Sequence, residues 1–379
     1  MNFKNFNWGP GLFLIIYQTL LLVTLPFYFF HALPSWGMIL FSFVLLYLTG
    51  LSITAGYHRL YSHKTYRANR FVEIVILFFG TMAAQGSVLR WCFDHRLHHA
   101  YVDTDNDPYS IKKGFWYAHF IWILEKPRKI EQKVVPDLFK NSLVMFQHKY
   151  YEILMLLTNV LAFVFTGWLL DDYLGAFFVA CGIRLFLLHH FTWFINSLAH
   201  TWGDKPFSQE QSAVNNYVIA LLTFGEGYHN FHHTFANDYR NGIRWFHFDP
   251  SKWLIWTLHK FKLAEGLKTI DAYTIKKRMV TERKEILIDR LCNLWYIKKD
   301  EMEQNINILS ERILNKIAQT NALMNNYRQK RLQRAERAYL NEIKQEIKEL
   351  KKNLKEDWRL WIKLSHQIMS LKPFQKAIF

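Results

Sequence analysis

The spacing of apolar and polar positions divides the chain into long apolar runs near its start and a charged, helix-favouring tail. The first run, Gly11 to Ala32, contains no Lys, Arg, Asp or Glu and is long enough for the ~20 residues that cross a bilayer. Pro26 kinks such a helix without forbidding it. Leu33-Pro-Ser-Trp-Gly37 turns the chain into a second uncharged run, and two more apolar runs follow on either side of Asp171-Asp172. The pattern predicts an all-α integral membrane fold with four spans, about 11–32, 38–57, 151–170 and 173–195, arranged as two hairpins.

The connections give an orientation. Arg59, Lys64, Arg67 and Arg70 follow the second run, and Lys112, Lys113, Lys126, Arg128, Lys129, Lys133, Lys140 and Lys149 precede the third. The turns at 33–37 and 171–172 carry no basic residue. By the positive-inside rule, 58–150 and 196–262 form a cytosolic helical cap, and both termini are cytoplasmic.

From Leu267 to Lys372 there is neither Gly nor Pro, and Leu340, Ile343, Ile347, Leu350 and Leu354 recur at heptad spacing. A membrane domain, 1–262, is therefore expected to precede an amphipathic helical extension, 263–379. The seam is expected to close a cytosolic hairpin or to pair with another chain by self-association.

Composition supports a bilayer-embedded protein: 51% of residues are apolar and 17% aromatic. The net charge of +16 lies mainly in loops beside apolar runs and in the tail. It favours a membrane surface over nucleic acid, and both signs interleave along the tail, as on a solvated helix face. Cys92, Cys181 and Cys292 are far apart, so neither a disulfide framework nor a thiolate metal site is expected.

The chemistry is carried by histidine. His95, His98 and His99 fall at i, i+3 and i+4, which on a helix puts three imidazoles on one face within reach of a common ion. His229, His232 and His233 repeat the spacing, and His58, His63 and His200 complete nine of the 17 histidines. At five residues apart, His58 and His63 do not share one α-helical face. They are expected to straddle the end of the second span, where Gly56 or Ser62 relaxes the helix. Asn196, one turn before His200, is expected to orient a water or a histidine. His31, His119, His148, His189, His190, His247, His259 and His366 fit no box and read as hydrogen-bonded core residues.

These boxes constrain topology. Phe71 to Trp91 is apolar enough for a further crossing, yet histidines on both sides of it can share one centre only on one side of the bilayer. The stretch also contains Glu73 and Gln85, so it is expected to be interfacial or re-entrant.

The motifs His58-Arg-Leu-Tyr-Ser-His63, Asp94-His-Arg-Leu-His-His99, Asn196-Ser-Leu-Ala-His200 and Gly225-Glu-Gly-Tyr-His-Asn-Phe-His-His233 stand in this order. Asp107-Pro108, Gly114-Phe-Trp and Asp238-Tyr-Arg-Asn-Gly-Ile-Arg-Trp245 accompany them. Over roughly 10–260, the chain resembles the membrane-bound fatty acyl desaturases of the Δ9, stearoyl-CoA type, in a form like bacterial members. The resemblance implies an enzyme that uses two iron ions (Fe2+) and molecular oxygen to insert a cis double bond into a long saturated acyl chain. It implies metal ligation by His58, His63, His95, His98, His99, His200, His229, His232 and His233, with Asn196 acting through water. It further implies a bent acyl tunnel lined by Gln85, Trp91 and Thr192, with Asp94, Trp122 and Trp193 toward the head group.

Phe93 departs from the family, since animal acyl-CoA members carry there an Arg that meets the coenzyme. The acyl carrier is thus open between CoA, carrier protein and lipid. No His-Pro-Gly-Gly haem motif occurs, so electrons are expected from a separate ferredoxin- or cytochrome b5-like donor. The competing readings are a histidine-box alkyl or acyl hydroxylase and, outside enzymes, a histidine-rich metal transporter or sensor. Transport would require ionisable residues along the spans, where only Arg184 stands out.

Overall fold

The structure, a computed structural model, describes residues 5–293 and 299–371. The chain divides into two compact units, Met1–Lys205 with Glu210–Thr269, and Pro206–Gln209 with Ile270–Phe379.

In the first unit, four helical stretches are long and apolar enough to cross a membrane: Trp8–His31, Trp36–Ser62, Tyr151–Leu170 and Tyr173–His200. α1 (Trp8–His31) turns at 32–35 into α2 (Trp36–Leu51), which Ser35 caps by accepting from the Met38 amide. α2 runs on as a π-helix, Ser52–Ser62. α3 (Arg70–Met82) and α4 (Val88–Tyr101) precede the second pair of spans. That pair comprises α5 (Tyr151–Leu170) and a stretch that includes a second π-helix, Ala176–Ile183, and ends in α6 (Arg184–Asn196). The spans expose large apolar side chains such as Leu20, Phe27, Leu40, Leu156 and Trp168, the signature of a lipid-facing surface.

The apolar run 71–91 is two helices. α3 has 13 residues, about 20 Å at 1.5 Å rise per residue, too short to span. Positive φ at Ala84 and Gly86 breaks the run before Ser87 caps α4. Arg184, buried in the fourth span, supports the break by donating to the Met82 carbonyl at 3.1 Å and Asn159 at 2.7 Å. Glu73 is held by Tyr61 and Asn141. A two-stranded antiparallel sheet, Arg67–Ala68 with Ala264–Glu265, ties the chain just after His63 to the end of this unit.

The second unit packs three long helices: α7 (Ala272–Cys292), α8 (Lys299–Leu332) and α9 (Arg337–Ser370). Ile343, Ile347, Leu354, Trp361 and Ile368 of α9 are buried, and its core meets Val280 and Leu287 of α7 and Ile306, Ile313 and Ile317 of α8. Of the two fates expected for the heptad seam, packing within one chain is observed. Asp357, also on the inner face, pairs with Arg312 at 2.9 Å and Lys316 at 2.7 Å.

Candidate metal centre

All nine box histidines converge, in two groups. His58, His63, His95, His99 and His232 form one, and His98, His200, His229 and His233 the other; within each, the ligand nitrogens lie within 4.8 Å of one another. Each H-x-x-H-H box is divided between them. Neighbouring residues on a helix diverge by about 100°, so His99 joins the first group while His98 turns to the second, and His232 and His233 part in the same way. The three imidazoles of a box therefore serve two groups rather than one ion.

The π-helix brings His58 and His63 together. Its i→i+5 hydrogen bonding, with the His63 amide donating to the His58 carbonyl at 3.0 Å, stacks one residue above the other. Their rings are 4.8 Å apart. The expectation that they could not share a face holds for an α-helix, and the winding here is different. The last box sits on a short helix, His229–Thr234, fixed by Asn230 on the Ala213 carbonyl and by Asn215 on the Phe231 amide. Gly227 just before it has no room for a side chain, since a Cβ would lie 2.2 Å from the Ala220 nitrogen.

Several imidazoles are oriented from behind. His58 Nδ1 lies 3.0 Å from Glu226, itself gripped by Arg59 at 2.8 Å and by Asn241. Arg59 also meets Asp249 at 3.0 Å. His98 Nδ1 lies 2.9 Å from Asp107, and His95 Nδ1 3.1 Å from the Tyr109 hydroxyl. His200 Nδ1 lies 2.7 Å from the Ser212 hydroxyl, which donates to Asp103. A carboxylate accepts, so His58 and His98 carry the proton on Nδ1 and turn a lone pair inward on Nε2.

The inward nitrogens test whether a cation fits. His58 and His232 bring Nε2 atoms to 2.9 Å, His232 and His99 to 3.0 Å, and His233 and His229 to 3.0 Å. His200 Nε2 is buried without a hydrogen-bond partner among the described residues. Lone pairs this close repel unless a shared proton or cation lies among them. Burial and neighbouring imidazoles hold His63, His95, His99, His229, His232 and His233 well below the ordinary imidazole value. Neutral imidazole is the ligand form, so both groups suit a metal ion.

A cavity of ≈ 520 Å³ opens onto this centre through His58, His95 and Glu226. Its lining includes every residue expected to contact substrate: Gln85, Trp91, Asp94, Trp122, Thr192 and Trp193, together with Asn196. Gln85 donates to Thr192 at 2.9 Å, and Trp91 stacks on His95. Burial pushes the Asp94 carboxyl up to about 6, against Arg90 at 3.2 Å. Among the histidines outside the boxes, His189 accepts from or donates to Tyr17 and meets the Ala83 carbonyl, His119 meets Ser197 and His190, and His148 meets Ser87. His31 and His366 are exposed at helix surfaces and are not the core residues expected. Glu226, Ser212 and Asp103 were not singled out by sequence as supports of the site. Glu226 stands one turn before His229 but serves His58, 168 positions away.

A family profile described as "Fatty acid desaturase" matches residues 34–264. The chain is 44% identical over 255 residues to a "Probable acyl-CoA desaturase" of Schizosaccharomyces pombe, covering 66% of this chain and 53% of that protein. It is 39% identical over 252 residues to "Acyl-CoA desaturase 1" of Saccharomyces cerevisiae, covering 66% and 49%. It is 34% identical over 271 residues to the "sn-2 palmitoyl-lipid 9-desaturase" of Nostoc sp., covering 70% and 91%. The aligned region thus spans about half the length of the two yeast relatives. With the spans, the boxes and the profile in agreement, the chain belongs to the fatty acid desaturase family.

Proposed function

We propose that the protein is an oxygen-dependent di-iron fatty acyl desaturase, inserting a cis double bond, at Δ9, into a long saturated acyl chain. The observation that carries this reading is a cavity of ≈ 520 Å³ bordered by imidazoles of a nine-histidine centre. Two iron ions, one in each histidine group, would supply the power to remove two hydrogens from adjacent methylenes. One O2, two electrons and two protons are consumed for each double bond, and two waters leave. The electrons come from a ferredoxin- or cytochrome b5-like carrier.

The protein's own groups bind, orient and exclude water. Trp91, stacked on His95, and the Gln85–Thr192 pair fix which methylenes lie beside the centre, so regioselectivity follows from geometry. Asn196, on the same cavity, would hold a water toward the metal. Glu226 and Asp107 keep His58 and His98 in the tautomer that directs Nε2 inward. The nine ligands act from the cytoplasmic side, with membrane domain 1–262 and extension 263–379.

For the carrier we favour CoA. Arg90, Lys113, Lys126 and Arg128 line the cavity, suiting a phosphorylated carrier. Arg90 lies over the Phe93 ring, 4.7 Å from its centroid, and so offers a guanidinium one helical turn before the position where animal members have theirs. Purified protein with a reductase system, offered stearoyl-CoA or a stearoyl phospholipid, tests both points by gas chromatography of the products. Monoene from the thioester alone supports the proposal, and monoene from the phospholipid alone overturns the carrier. Hydroxylated chains would establish the hydroxylase instead.

A further inference from the structure

The outward face of α9 separates charges that the sequence interleaves. At 3.6 residues per turn, Lys344, Lys348, Lys352, Lys355, Arg359 and Lys363 fall within about 100° of arc opposite the buried seam. All six are exposed. Glu342, Glu346, Glu349 and Glu356 lie along one flank, and Asp357 turns inward onto Arg312 and Lys316. Among the described residues, none of the six cations is held in an ion pair. Ile362, 51% exposed, shares the arc. α8 differs: its outward arc holds Ile308, Asn315, Ala318, Ala322 and Asn325 together with the acidic Glu311, and no Lys or Arg. The basic stripe is therefore a feature of α9 that the neighbouring α8 does not share.

We propose that this face of α9 docks on anionic headgroups of the bilayer that holds the same chain. Six cations along about 30 Å of helix match a surface of negative charge, and clusters of four to eight Lys or Arg on a helix attract acidic lipids. Ile362 supplies an apolar side chain for the headgroup–acyl boundary. The unit is covalently continuous with the four membrane-spanning stretches, so the bilayer is present at the effective concentration set by the chain. A single-stranded nucleic acid would call for aromatic stacking surfaces on the stripe, and Trp361 is buried on the opposite side. The inference rests on the membrane spans and not on the desaturation chemistry.

The test uses the full chain in nanodiscs of phosphatidylcholine, with or without about one-third phosphatidylglycerol. A polarity-sensitive dye is placed by Ile362→Cys in a Cys292→Ser background, since Cys292 is exposed, with Ala318→Cys as the control on α8. Acidic lipid should shift the dye at 362 to an apolar emission and leave the dye at 318 unchanged, and high salt should reverse the shift. Each Lys→Gln on the stripe should lower the docked-to-free ratio about fivefold, and Lys348→Gln/Lys352→Gln/Lys355→Gln together about a hundredfold. The matching triple Lys→Arg variant should dock normally, which separates charge from folding. Equal emission at 362 in the two lipids overturns the proposal. A shift produced by added RNA or duplex DNA but not by acidic lipid would reassign the stripe to nucleic acid. Product analysis on the same nanodiscs reads the desaturase proposal independently of the dye.

Discussion

The two histidine groups solve one problem with different means. The group of five is anchored by a buried charged network, in which Glu226 holds His58 and is held by Arg59 and Asn241, with Asp249 completing it. The group of four has one carboxylate, Asp107 on His98, and one neutral relay, Asp103 through Ser212 to His200. Among the described residues it also has two buried nitrogens without a hydrogen-bond partner, His200 Nε2 and His229 Nδ1. The difference teaches that ligand number and support run in parallel and do not compensate: the group with fewer imidazoles also has the softer support.

The largest change should come from removing a ligand on either side. His98→Ala and His232→Ala should each leave the protein inserted in membranes while abolishing monoene and lowering bound metal; retained turnover would take that residue out of the centre. Glu226→Gln should come next. It removes a buried carboxylate that orients His58, and loss of such an outer partner costs about 10–100-fold in metal affinity. Metal titration against a chelator measures this. Ser212→Ala should fall at about the tenfold end of that range, acting on the group of four. If Ser212→Ala weakens binding more than Glu226→Gln, the proposed asymmetry of support is wrong.

Chelation of the whole centre should lower the melting temperature of the membrane unit, since a ligand at ~100 times its Kd adds about 2.7 kcal/mol to the folded state. The smallest effect on either group should come from the tail. Trp361→Ala, in the buried core of α9, should cost that unit about 3–5 kcal/mol and leave metal content unchanged. Unfolding followed by helical signal, alongside metal analysis, separates the two.

Much of the centre was legible because histidine spacing survives in one dimension. The boxes name their residues without any knowledge of the fold, and the apolar runs mark four candidate spans. The supports were less legible. Glu226 next to His229 suggests a local pair, yet its partners are His58 and Arg59, brought in by a different span. Ser212 is unremarkable in a polar loop until Asp103 and His200 close on it.

The sequence by itself determined which segments are apolar enough for a bilayer, which nine imidazoles belong together, and that the tail is helical, because each depends on short-range periodicity or composition. Tertiary structure alone decided how those imidazoles are shared. A backbone wound as a π-helix brings His58 beside His63, and the divergence of adjacent side chains assigns His98 and His99 to different groups. Hydrogen-bond winding and contacts between distant segments depend on packing, and neither is written in the spacing of residue types.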